Sequence, residues 1–123
     1  MPDEQKSSGT FVSPPEKVWL AIIASVQHMG GKVGKKDEKG GKMVAQMDKK
    51  LFGNYLGDRS QLEIQLMPMG EAETRVEIFA FPLNAVGQKL MFGARPGVAE
   101  TVLRVLLREV GERLEGKQPA GKL

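Results

Sequence analysis

Apolar residues recur every three or four positions in two stretches of this chain and every second position in others, which predicts two amphipathic helices and a set of strands. In the first helical stretch Val18, Trp19, Ile22, Ile23, Val26 and Met29 fall on one face. In the second, from about Gly97 to Leu114, the face is Val102, Leu103, Leu106, Leu107, Val110 and Leu114. Its other side carries the four-residue charge pairs Glu100/Arg104, Arg108/Glu112 and Glu109/Arg113, expected outside. Period-two alternation marks Leu62, Ile64 and Leu66 against Glu63 and Gln65, and Val76, Ile78 and Ala80 against Arg75 and Glu77. A weaker alternation, Met43, Ala45 and Met47 against Val44 and Gln46, follows Lys32–Lys36 across the turn Asp37-Glu38-Lys39-Gly40-Gly41.

Local chemistry sets the ends of these elements. Ser13-Pro14-Pro15-Glu16 reads as a capping box, with Ser13 accepting from the Glu16 amide and prolines filling the first turn. Gly30-Gly31 closes that helix, because glycine adopts the left-handed conformation that ends helices. Before it, Thr10-Phe11-Val12 predicts a first strand starting near Gly9. Residues 51–60, with Phe52, Gly53, Tyr55 and Gly57, read as a loop, and residues 82–96 as a longer connection.

The order is β-α-β-β-β-β-α: an α+β, helix-grip-like domain with an antiparallel sheet and two helices packed on one face. Matching the aliphatic faces requires Ile64 opposite Ile78, since a slip of one residue turns every side chain over. Glu63, Met67, Arg75, Glu77, Phe79 and Phe81 then share the other face. One domain is expected over 9–115, with a disordered tail over 1–8 and a flexible one over 116–123.

Two resemblances start from the same residues. Phe11-Val12-Ser13-Pro14-Pro15-Glu16-Lys17-Val18-Trp19 looks like the opening of the START/polyketide-cyclase-like helix-grip ligand binders, which implies a sheet wrapped around a cavity. The layout over roughly Thr10 to Leu114 resembles small bacterial lipoprotein domains of unknown function and the repeats of a lipoprotein component of the outer-membrane β-barrel assembly machinery. It consists of Val18-Trp19-x-Ala21-Ile22, Gly31-x-Val33, Gly41-Lys42-Met43-Val44-Ala45, Thr74-Arg75-Val76-Glu77-Ile78 and a leucine-rich last helix. Neither implies catalytic residues at positions of this chain.

Composition excludes more than it assigns. The 123 residues hold no cysteine and one histidine, so no cysteine-based metal centre or Cys/His nucleophile pair can form, and no metal or cofactor is expected. His28, near the end of the first helix, is expected to serve structure through the helix dipole. Glu63 and Glu77 share a face with Arg75 and solvent, which favours cross-strand pairing over acid–base work. Gly30-Gly31-Lys32-Val33-Gly34-Lys35-Lys36 follows a helix and lacks a Ser or Thr after the lysine, so it is not a phosphate loop. No catalytic residue is expected.

The formal charge of +3 is concentrated. Seven lysines lie between Lys32 and Lys50 against Asp37, Glu38 and Asp48. They suit a strand edge blunted against aggregation or weak contact with an anionic surface, while specific nucleic-acid binding lacks aromatics for base stacking. No apolar run reaches the length of about 18 residues that a membrane span requires. The chain as written reads as a soluble, cytoplasmic protein, or as an envelope domain if a leader has been removed.

The constellation that invites a function is apolar: Met67, Phe79 and Phe81 on the outer sheet face, with Leu90, Met91 and Phe92 in the connection. The connection folds over the face, or the face meets a partner protein or second copy, or the two form the mouth of a pocket. These residues point first to a non-enzymatic interaction module using the open face and the 82–96 segment. The alternative is a START-like carrier of a small hydrophobic ligand, lined by Trp19, Phe79, Phe81, Met91 and Phe92.

Overall fold

The computed structural model describes residues 4–90 and 97–123, so Met91 and Phe92 lie outside the described residues. Its elements follow in the order β1 (Gln5–Phe11), α1 (Pro15–His28), β2 (Lys32–Asp37), β3 (Lys42–Met47), β4 (Lys50–Leu51), β5 (Asn54–Tyr55), β6 (Arg59–Pro68), β7 (Thr74–Leu83) and α2 (Val98–Leu114). Five strands make one antiparallel sheet in the spatial order β1-β7-β6-β3-β2. Ile64 pairs with Ile78, the register that the hydrophobic pattern demands.

Both helices lie on the same side of this sheet. Val18, Trp19, Ile22 and Val26 of α1 and Val102, Leu103, Leu106 and Val110 of α2 join Met43, Ile64, Val76 and Ile78 in one buried cluster. Burial of these faces is the main favourable term for such a domain, at roughly 25 cal/mol per Å² of apolar surface removed from water. Val105 is also fully buried, although periodicity does not place it inward.

Five local expectations are corrected. Ser13 does not cap α1. The cap residue is Pro14, extended at φ −67° and ψ 155°, with no side-chain cap hydrogen bond. A residue preceding proline is pushed out of the helical region, so Pro15 holds Pro14 extended and the helix starts one residue later than a Ser13 cap requires. The Ser13 carbonyl instead accepts from Thr74 Oγ1 at 2.9 Å, tying the entry of α1 to the start of β7.

Residues 51–60 are not a plain loop, because Lys50–Leu51 and Asn54–Tyr55 form a small hairpin. Phe52 (φ 50°) and Gly53 (φ 80°) both take the left-handed conformation that a two-residue hairpin turn needs, and Leu51 is buried. β1 starts at Gln5, within the stretch expected to be a tail. The last residues return to the body: Pro119 is buried, a Cβ built on Gly121 would sit 3.5 Å from the His28 imidazole, and Arg108 donates to the Lys122 carbonyl.

Glu109 is fully buried between the helices instead of lying outside. Its carboxylate meets His28 Nδ1 at 2.9 Å and Arg113 Nη2 at 3.7 Å, and Arg113 Nε donates to Ser25 Oγ at 3.1 Å. A buried carboxylate requires such partners, since desolvation costs an unpaired charge several kcal/mol, on the order of magnitude of a domain's whole stability.

Candidate functional site

The outer face of the sheet is set by the β6–β7 ladder. Gln61 stands opposite Phe81, Glu63 opposite Phe79, Gln65 opposite Glu77 and Met67 opposite Arg75. All six residues expected on that face alternate with the buried set, so a two-residue period places them together on one side.

The structure nevertheless divides them. Phe79 and Phe81 pack against each other with ring centroids 5.7 Å apart. Met67 lies four residues along β6 from the Glu63–Phe79 pair, a displacement of about 13 Å, with Gln65 and Glu77 between. Met67 therefore does not join the aromatic pair.

Phe81 is only 9% exposed. The chain after β7 doubles back through a turn in which Asn84 Oδ1 accepts from the amides of Val86 and Gln88 at 3.0 and 2.9 Å. Lys89 pairs with Leu83 and lays its ammonium 5.2 Å from the centre of the Phe81 ring, within cation–π range. It also forms an ion pair with Glu4, just before β1. The Leu90 amide donates to the Pro82 carbonyl at 2.9 Å, which keeps half-buried Leu90 beside the end of β7.

Phe79 remains half-buried, at the side of a depression of about 550 Å³ that Glu63, Gln65, Arg75, Glu77, Lys6 and Ser8 also line. A second depression of about 500 Å³, over Val33, Lys35, Val44, Gln46 and Gln61, shares Glu63 with the first. The two carboxylates do not face each other: Glu63 is opposite Phe79 and Glu77 opposite Gln65. Their partners lie along their own strands, with Arg75 Nε 3.4 Å from Glu77 and Gln61 Nε2 donating to Glu63 at 3.3 Å. The cross-strand Glu/Arg pairing expected from the pattern is thus replaced by pairing within each strand. Arg75 also reaches Ser8 Oγ at 3.4 Å.

The hydrophobic pattern does not single out Lys6, Ser8 or Lys89. Lys6 and Ser8 reach the face only because β1 pairs with β7, the strand furthest from it in sequence. No local sequence signal specifies that pairing.

The inner side is filled. Met43, Ile64, Ile78, Leu62 and Leu106 are each at most 2% exposed, which leaves no water-sized surface beside them. A cleft of about 330 Å³ opens at the end of this side, where Pro15, Glu16 and Trp19 of α1 face Lys39, Leu66 and Pro68. Among the described residues, no group of three His, Cys, Asp or Glu side chains could hold a metal ion, and no helix is long and apolar enough to cross a membrane.

Three of the seven lysines, Lys32, Lys35 and Lys36, fall on an edge strand of the sheet. β2 is the outermost strand on that side, Lys32, Lys35 and Lys36 are exposed, and its pairing shifts between Val33 and Lys36. Charge and irregular register are both features that prevent edge-to-edge association.

No protein-family model matches the chain, and no curated protein matches it. Solved structures do. The di-domain ARO/CYC BexL from the BE-7585A biosynthetic pathway is similar over 91% of this chain at TM-score 0.59 and 10% identity, and this chain spans 46% of that one. CalU16 from Micromonospora echinospora matches over 95% of this chain and 77% of its own at TM-score 0.59 and 12% identity. Ara h 8.0201 matches over 93% and 98% at TM-score 0.57 and 9% identity.

Likeness at this level establishes the fold, which is helix-grip, and nothing finer. It agrees with the START-like opening read around Val18-Trp19. The lipoprotein-repeat resemblance finds no support in these matches.

Proposed function

We propose that this chain is a non-enzymatic protein-interaction module. It binds a partner protein through the outer face of the sheet and the 82–96 segment, with Phe79 and Lys89–Leu90 as the described contacts. The observation that carries this reading is the contrast between the two sides of the sheet. The inner side is packed with aliphatic side chains, whereas the outer side offers a depression of about 550 Å³ beside an aromatic ring and charges of both signs. An aromatic anchor within a polar rim is the usual composition of a binding hot spot.

A photo-crosslinking residue placed at Phe79 tests this, with one at exposed Leu20 on α1 as control. One partner should crosslink at position 79, not at position 20, and should be lost from purified Phe79→Ser protein that remains folded. Equal labelling from both positions, or binding unchanged in Phe79→Ser, overturns the reading.

A carrier of a small hydrophobic ligand is the second reading. The cleft of about 330 Å³ beside Trp19 favours it, together with a fold whose known members suggest ligand binding. Native mass spectrometry of protein purified from cells should then show a bound apolar molecule that Leu66→Arg excludes. Mass spectra with only the bare chain overturn it.

A further inference from the structure

We infer that two copies of this chain associate through β1, joining their sheets edge to edge around a two-fold axis at Ser8. The two rims of the sheet differ sharply. The β2 rim carries Lys32, Lys35 and Lys36 and breaks register between Val33 and Lys36. The β1 rim has neither safeguard. All seven residues from Gln5 to Phe11 pair with β7 in unbroken register, and the strand contains one charge, Lys6, and no proline.

On its far side β1 has no neighbouring strand among the described residues, so alternate backbone N–H and C=O groups point away from β7 with no ladder partner among those residues. A straight, nearly uncharged edge of this kind is a template for another strand.

Charge placement selects a second copy as that strand. An antiparallel pair centred on Ser8 puts Lys6 opposite Thr10, Ser7 opposite Gly9 and Gln5 opposite Phe11, so no like charges meet. The same operation on β2 would crowd lysines from both copies on one seam. Because the axis stands perpendicular to the sheet, outer faces stay on one side. The depressions beside Lys6 and Ser8 of the two copies then flank the junction on a ten-stranded sheet. Association through this rim does not depend on Phe79 binding a partner, so the two can fail separately.

Sedimentation velocity over a concentration series, on the whole chain, tests the inference. Wild type should shift from monomer to dimer as concentration rises. Ser8→Lys and Ser8→Glu, at an exposed position, should each stay monomeric over the same range because like charges meet at the axis. Their equimolar mixture should restore the dimer, with the mixed species visible by native mass spectrometry, and Phe79→Ser should dimerise like wild type. Wild type that is monomeric up to its solubility limit overturns the inference, as does Ser8→Lys that dimerises normally.

Hydrogen exchange keeps the test decisive if either Ser8 variant fails to fold. In wild type, alternate amides of Gln5–Phe11 should slow with rising concentration while those of β6 hold constant. Concentration-independent exchange in β1 overturns the inference.

Discussion

Nδ1 of His28 lies 2.9 Å from Oε2 of Glu109, and this contact joins the end of α1 to the middle of α2 across 81 residues of sequence. The carboxylate has no exposed surface, and Arg113, on the same helix, is its second partner. The single histidine thus makes a side-chain contact to a buried carboxylate on the other helix, beyond the helix-dipole interaction read from the sequence.

Removing the carboxylate should therefore weaken the domain. Glu109→Ala leaves Arg113 and His28 facing a void and should lower stability by about 3 kcal/mol, whereas Glu109→Met, which fills the space with apolar atoms, should cost less. Urea denaturation of the two variants measures the difference. Equal losses would show that the lost pairing, not space filling, governs this position.

Phe79 and Phe81 should separate into different classes when each is changed to serine. Phe81 is covered by Lys89 and nearly buried, so Phe81→Ser should cost about 3 kcal/mol. Phe79 is half-exposed, and Phe79→Ser should change stability by less than about 1 kcal/mol. Thermal melts of both proteins decide it.

Ser60 is fully buried and its hydroxyl has no hydrogen-bond partner among the described residues. Replacing an unsatisfied buried polar group by an apolar one of similar shape is neutral or favourable. Ser60→Ala should thus leave stability unchanged or raise it by up to about 1 kcal/mol in denaturant titration. A loss above that size would reveal a partner for the hydroxyl.

Gly31 is closely packed. A Cβ there would collide with Met47 Sδ and come within 2.9 Å of the Gln46 carbonyl oxygen. The methionine tail can move, but the backbone oxygen belongs to the β2–β3 ladder. Gly31→Ala should cost about 1 to 3 kcal/mol, measured by chemical denaturation. Gly30→Ala, which has open space but φ +86°, should cost about 1 kcal/mol through backbone conformation alone.

Ser13→Ala should change stability by no more than about 0.5 kcal/mol, because the serine side chain caps nothing and only its carbonyl is engaged. A loss near the roughly 1 kcal/mol typical of a true cap would restore the capping box. Equilibrium unfolding of the alanine variant distinguishes the two.

The sequence by itself determined the two helices, the strands of the main sheet and the register of β6 against β7. Each follows from periodicity and from glycine or proline chemistry acting over a few residues. Alternation of aliphatic and polar side chains in Leu62–Leu66 and Val76–Ala80 admits one pairing that buries both sets, and Ile64 meets Ile78. Shared placement of the outer residues follows from the same period.

Tertiary structure alone decided which of those outer residues form a surface. β1 pairs with β7 and brings Lys6 and Ser8 beside Phe79, Lys89 folds back over Phe81, and Glu109 is drawn between two helices although its four-residue pairing with Arg113 reads as solvent-facing. In each case the partners are far apart along the chain. Backbone period fixes the direction of a side chain relative to its own element, but what that side chain meets depends on how the elements pack.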